Sequence, residues 1–279
     1  MSVLILCVRH CRREPSGGAE DPTRWQLGTP YRERMEFARH LELLDREGTR
    51  TVELGATADL DLRVPTCPDW TIAALLRHVG GLLTWSAELV RTRRLEFALP
   101  GSVGAAPPEA DADVVNWLGV KLREALEVFS SVSPAEPVWG WAGDHRAGFW
   151  PRRMLFEVVV HLTDLEAALG IGGTVDPELA VEGIDEHLSN LPWTGAWDAG
   201  VRALAGQFDT IGLRATDGPT WRMVLMPGGM FWDRSDDPTG ATVEGAVSDL
   251  YLHTQGRHTD VRITGDADLH HRTLGSLSF

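Results

Sequence analysis

From Met35 onward the apolar positions recur at steps of three and four, the period of helices that bury one face. Phe37, Leu41 and Leu44 mark a first helix over about 35–57. The stretch VPTCPDW, residues 64–70, interrupts that period with two prolines. Asp69 or Thr71 then offers an N-cap for a second helix running to about Glu96. On it, Leu75, His78, Leu82, Trp85 and Leu89 share one stripe, and Gly80 and Gly81 leave room for another helix to approach. A Gly/Ala/Pro loop over 97–108 leads to a third helix, about 109–131. A long Pro/Gly/Trp loop over 132–148 leads to a fourth, about 149–169, which Gly170 ends. Four helices of this length, joined by one or two longer connections, predict a four-helix bundle.

Beyond residue 170 the pattern changes. A shorter helix is expected over 177–190, followed by a Pro/Trp/Gly linker. Segments 209–216 and 220–226 alternate as strands around an Asp217-Gly218 turn. A helix over 245–255, a strand over 260–264 and a helix over 266–277 follow. The expected organisation is an extension over 1–34, a helical bundle over 35–190 and a small α+β domain over 200–279. The fold class is thus mixed, an all-α part followed by an α+β part.

Composition narrows the function classes. A chain of 279 residues can bury one large core or two modest ones. Its formal net charge of −14 repels phosphate backbones, which argues against nucleic-acid binding. Three cysteines, Cys7, Cys11 and Cys67, cannot build a disulfide scaffold at this length, so a cytoplasmic location is expected. No apolar run approaches the length of a membrane span. The apolar stretch over 2–8 precedes Arg9, Arg12 and Arg13, the reverse of the order in a secretory signal. Eleven tryptophans, many in or near loops, suit either packing or the wall of a pocket.

The fourth helix carries the chemistry: RRMLFEVVVHLTDLEAAL, from Arg152. Glu157 and His161 lie one turn apart, and Arg153 and Asp164 extend the same stripe. Met154 and Val158 flank it on one side, Phe156 and Val160 on the other, so the polar stripe is expected to be buried. Buried carboxylates and imidazoles need partners or a metal. His78 poses the same question on the second helix. Two inward histidines and one carboxylate form a His₂Glu set with an open fourth position, the catalytic form of a zinc site. An internal salt-bridge network of Glu157 and Asp164 with Arg153, and a core histidine bonded to a carbonyl, fit the same residues.

The stretch VPTCPDWTIAALLRHVGGLLTWSAELV, 64–90, resembles the N-terminal signature of the mycothiol-dependent maleylpyruvate isomerase family. FWPRRMLFEVVVHLTDLEAAL, 149–169, resembles its second signature, a helix carrying Arg-Arg, Glu, His and Asp. The resemblance runs from about Met35 to the C-terminus and is looser over the last eighty or so residues. It implies a DinB-like four-helix bundle followed by a small α+β domain. It also implies a divalent metal, zinc by donor type, held by His78, Glu157 and His161. One departure is Phe156, where many relatives have a further histidine.

The open metal position implies a low-molecular-weight thiol, mycothiol, as cosubstrate, and a small electrophile as its target. Because nothing in the residues selects maleylpyruvate, general thiol transfer is placed first and cis–trans isomerisation second. A non-catalytic metal-binding regulatory bundle is a third reading. Arg153 is a candidate for a substrate carboxylate, with pairing to Glu157 as the alternative. Asp164 is a candidate to orient His161. Arg257, after Gly256, resembles the family's Gly-Arg and is a candidate anion clamp. No residue is assigned to thiol binding.

Other clusters carry bland readings. Cys7, His10 and Cys11 fall short of four ligands. Cys67 is expected to be packed. Asp144 and His145 read as exposed loop residues, and His270 and His271 as solvent-facing. No P-loop, dinucleotide fingerprint or nucleophile elbow is present.

Overall fold

The computed structural model describes residues 35–104, 106–194, 206–227 and 229–274. The extension over 1–34, with Cys7, His10 and Cys11, and the linker after residue 194 lie outside the described residues. Helices and sheet are mixed, as expected, and the chain divides into two compact units. One spans Met35–Thr174; the other takes the described residues from Val175 onward.

The first unit contains helix α1 (Phe37–Thr57), a hairpin of β1 (Arg63–Val64) and β2 (Cys67–Thr71), then α2 (Ile72–Arg91). Helices α3 (Val114–Ser130) and α4 (Phe149–Ala168) follow. Helix α1 packs on α4 and α3, and α2 packs on α3 and α4, so each helix has two neighbours. Leu43, Leu75, Leu118 and Leu155 are fully or almost fully buried where the apolar stripes meet.

The ends of α2 have physical causes. At its start the Thr71 hydroxyl accepts from Ala74 N at 3.2 Å, which settles the choice of cap. At its end Arg94 N–H donates to Leu89 O and Arg93 N–H to Val90 O, with Arg93 at φ 48. This is a Schellman closure in which arginine takes the left-handed position usually held by glycine. The helix therefore stops at Arg91, several residues before the expected Glu96, and no glycine announces it. Helix α4 closes the same way with Gly170 at φ 68, where the sequence reading placed its end.

Gly80 does allow close approach: a Cβ there would overlap the Trp117 ring of α3. Gly81 has nothing within 4 Å and plays no such part. Trp139 of the long loop and Trp150 beside it pack against α2. Trp85 lies edge-on to Trp150 at 4.9 Å and Trp139 at 6.3 Å, and Phe97 meets Trp139 at 5.3 Å. The Trp85 indole donates to Ala98 O and that of Trp150 to Trp139 O, so both long loops are pinned to the helices.

In the second unit, α5 (Pro177–Thr194) precedes β3 (Asp209–Ala215), β4 (Thr220–Met226), β5 (Gly229–Asp233) and β6 (Ala241–Gly245). Then come α6 (Val247–Thr254), β7 (Arg262–Gly265) and α7 (Ala267–Arg272). The sheet order is β5-β4-β3-β6-β7, with β3 and β6 parallel and the other pairs antiparallel. Ile211 and Leu213 of β3, Trp221 and Met223 of β4 and Val243 of β6 point into one buried layer. Strands β5 and β6 were not expected. Both are five residues long, and β5 shows no alternation of buried and exposed positions.

Helix α5 groups with this unit, so the division after Thr174 does not coincide with the boundary expected near 190. The reason is packing: α5 lies on α6 and β5. Its Asp185 accepts from the Trp221 indole and from Arg234 Nη2, each at 2.6 Å. A correction concerns His270, expected to face solvent. It is 7% exposed, with Nε2 3.0 Å from Nε2 of His253, because α7 turns it onto α6; its neighbour His271 is exposed. Among the described residues no helix is long and apolar enough to cross a membrane.

Gly80→Ala should lower unfolding free energy by about 1–3 kcal/mol, since a Cβ must displace Trp117. Gly81→Ala should be neutral or stabilising by up to about 1 kcal/mol, from helix propensity alone. Urea denaturation of the two variants checks this contrast.

Candidate metal centre

Helix α4 turns Glu157 and His161 inward on successive turns, and α2 brings His78 against them. The Nε2 atoms of His78 and His161 lie 3.8 and 3.7 Å from the same carboxylate oxygen, Oε2 of Glu157. One ligand atom from each of the three lies within 4.8 Å of the others, and Glu157 and His161 are buried. The two imidazoles meet edge-on, with centroids 4.8 Å apart. These separations exceed hydrogen-bond length but suit three donors around one ion. His78 Nε2 is buried and has no hydrogen-bond partner, an arrangement that costs about 1–3 kcal/mol when nothing compensates it. A divalent cation would satisfy that nitrogen, so the residues present fit a metal.

The surroundings hold the donors in place. Arg153 Nη2 donates to Glu157 Oε1 at 3.1 Å, from the preceding turn. His161 Nδ1 lies 2.9 Å from Asp164 Oδ2, and both side chains are fully buried. That contact turns Nε2 of His161 toward Glu157. The Trp70 ring packs on His78 at 4.9 Å and on His161 at 5.9 Å. Phe156, at the departure from the family pattern, is buried and lies outside the ligand cluster.

The electrostatics fit cation binding. Burial pushes His78 below the ordinary histidine value and the neighbouring His161 adds to this, against the opposing pull of Glu157. Burial alone would raise Glu157; Arg153, His78 and His161 outweigh it and hold the carboxyl down at about 2. His78 thus offers a neutral imidazole and Glu157 an ionised carboxylate, the forms that coordinate metal.

The structure brings together five of the six residues singled out from sequence: His78, Arg153, Glu157, His161 and Asp164. Arg257 belongs to the second unit. It follows α6, where its N–H bonds Leu252 O and its guanidinium donates to Gln255 O. His145 is exposed and Asp144 is ion-paired with Arg146, in line with loop roles. Cys67 is half-buried at the start of β2. Sequence reasoning missed Thr66 and Trp70. Thr66 donates to Asp164 Oδ1 at 2.6 Å. The hairpin puts Thr66 and Trp70 beside the helices, and a two-residue strand followed by Pro65 leaves no period to read.

In the metal-free protein both shifts give stability that is lost on acidification. The unfolded chain takes up protons first: at His78 as pH falls below 6.5, and at Glu157 as pH falls from 4.5 toward 2. Denaturant unfolding across this range should show a loss of a few kcal/mol for the native protein. In Glu157→Gln the part between pH 4.5 and 2 should disappear.

Comparison with known proteins places the unit that holds this site. Residues 41–166 match the family model described as the mycothiol maleylpyruvate isomerase N-terminal domain. A crystal structure of the mycothiol-dependent maleylpyruvate isomerase aligns with a TM-score of 0.56 at 14% identity, covering 84% of this chain and 95% of that one. A structure of a histidine-to-alanine variant of that isomerase aligns equally well. At this identity the likeness is one of fold. No curated protein matches the chain.

Proposed function

Because the helical unit, over residues 41–166, belongs to the mycothiol maleylpyruvate isomerase N-terminal domain family, we propose that this protein is a mycothiol-dependent isomerase of maleylpyruvate or a close cis-unsaturated analogue. Its metal, zinc by donor type, is held by His78, Glu157 and His161. The observation that carries this reading is the buried three-donor cluster with His78 Nε2 unpartnered. The family match and the shared fold support isomerisation ahead of general thiol transfer, reversing the order read from sequence. We read the four helices as a DinB-like four-helix bundle, supported by the two helical neighbours that each one has. The second unit is read as a small α+β domain.

A metal held by His78, Glu157 and His161 would supply positive charge that lowers the pKa of a thiol, whose free value of about 8.5 leaves it mostly protonated at neutral pH. The thiolate adds to one carbon of the cis double bond, forming a C–S bond while the π pair moves onto the conjugated carbonyl oxygen. The remaining C–C bond is single and rotates. The pair then returns and expels the thiolate, leaving the trans isomer. No atom is gained or lost, so the thiol acts as a covalent catalyst. In a transferase the adduct would instead take a proton and leave.

The chain's own residues set the conditions for that cycle. Glu157 stays ionised beside Arg153 and gives the donor set one negative charge. Asp164 holds His161 with Nε2 toward the site. We assign Arg153 to keeping Glu157 ionised, which its 3.1 Å contact supports over substrate binding. Arg257 is assigned to a substrate carboxylate, on the sequence resemblance at Gly256-Arg257.

Metal analysis of the purified protein should find about one divalent ion per chain, lost in His78→Ala and His161→Ala. Conversion of maleylpyruvate to the trans isomer should need mycothiol and fall at least about 100-fold in either variant. A protein that binds no zinc when it is supplied would overturn the reading. Conjugates of mycothiol without isomerisation would return it to thiol transfer.

A further inference from the structure

We infer that the β1–β2 hairpin is the positioning element of the metal centre, and that Thr66 at its turn fixes His161 through Asp164. This inference rests on the metal reading of His78, Glu157 and His161 and adds residues that reading does not use. Three contacts run in series. The Thr66 hydroxyl donates to Asp164 Oδ1 at 2.6 Å. The other oxygen of the same carboxylate, Oδ2, lies 2.9 Å from His161 Nδ1. Nε2 of His161 then faces Glu157 Oε2, 3.7 Å away.

The chemistry of each link sets its direction. An ionised carboxylate only accepts, so the Asp164–His161 contact requires the proton on Nδ1 and leaves the lone pair on Nε2. A hydrogen bond to the remote nitrogen is how a ligating histidine is held in one tautomer and one ring orientation. The Thr66 hydroxyl bonds the second oxygen of Asp164 from a different element of the fold. The hairpin's second contribution is Trp70, whose ring lies against both histidines and limits their tilt.

Thr66 is itself exposed, whereas Asp164 and His161 are fully buried. Its hydroxyl reaches the buried Asp164. Removing the hydroxyl therefore leaves the core intact while loosening a metal ligand. A merely structural threonine would show its loss in stability alone, with native metal affinity and spectrum. The β1–β2 pairing does not depend on this side chain, since the ladder joins Arg63 to Thr71 and Val64 to Cys67.

The test compares the native protein with Thr66→Val and Thr66→Ser. Zinc affinity is read by competition with a chromophoric chelator, the coordination by the visible spectrum of the cobalt-substituted protein, and the fold by thermal melting without metal. Thr66→Val should still bind one ion but about 10–100-fold more weakly, with a changed cobalt spectrum, and its metal-free form should melt lower because a buried carboxylate oxygen loses a donor. Thr66→Ser should restore both affinity and spectrum. In nitrogen-15 NMR of the metal-free protein, His161 should show a protonated Nδ1, sharpened by the Asp164 bond and broadened in Thr66→Val. Native affinity and spectrum in Thr66→Val would overturn the inference and leave the metal reading standing. Failure of the native protein to bind zinc or cobalt would remove the metal reading itself. A Thr66→Ser protein as weak as Thr66→Val would assign the effect to shape and would also overturn the inference.

Discussion

Four ionisable side chains share one inward stripe of α4, and the first unit is arranged around the need to satisfy them. An unpaired charge in an apolar interior costs several kcal/mol. Arg153 answers Glu157, Asp164 answers His161, and the two pairs meet where Glu157 and His161 approach each other. The ladder is closed at its lower end by the Thr66 hydroxyl. At its upper end Glu157 has one oxygen on Arg153 and the other turned toward two imidazoles that are too far for hydrogen bonds. A pure salt-bridge network would have drawn those atoms together. The salt-bridge reading holds for Arg153 with Glu157, while Asp164 meets His161 and Thr66, and it leaves His78 Nε2 with nothing to bond.

The position of His78 depends on how closely α2 can lie among its neighbours. Leu75, Leu82, Trp85 and Leu89 bury the same face of the helix that carries His78. Gly80, two residues on, receives the Trp117 ring of α3, so that side of α2 needs no side chain of its own. Thr71 fixes where α2 begins, and Thr71 also ends β2. The hairpin and the helix are thus one continuous piece of chain, in which Trp70 and His78 come to rest ring against ring. The VPTCPDW segment has a physical role in this arrangement: its Thr66 and Trp70 reach α4, and the residue that follows it starts α2.

How much of this was legible in the sequence follows from the range of each signal. The stripe of Arg153, Glu157, His161 and Asp164 is a property of one helix, and periodicity alone reveals it. The expectation of an open His₂Glu set needed a second helix, which one sequence cannot place; the resemblance over 64–90 and 149–169 supplied His78. Helix α4 ended where glycine said it would, while α2 ended early because Arg93 adopts the left-handed conformation without sequence warning. Thr66 was invisible because its partner is 98 residues away and the hairpin that carries it is too short to show a period. The edge strand β5 escaped for the same reason, since its positions do not alternate. His270 was misplaced because a short helix near the chain end gave no sign of packing on α6.

The exposure of the hairpin bears on how the centre can work. A metal site that keeps one position open must also let a reactant reach it. His161 and Asp164 have no exposed surface, and the helices bury the site on the sides they form. Thr66 is exposed and Trp70, like Arg153, is half-buried, so the hairpin is one of the parts around the donors that meet solvent. One element therefore orients a ligand from its inner side and faces solvent on its outer side. Under the proposed metal reading, a change on the hairpin would alter metal binding and the approach to the site together. Separating the two requires a readout of the metal alone, and cobalt absorption provides one without any substrate present.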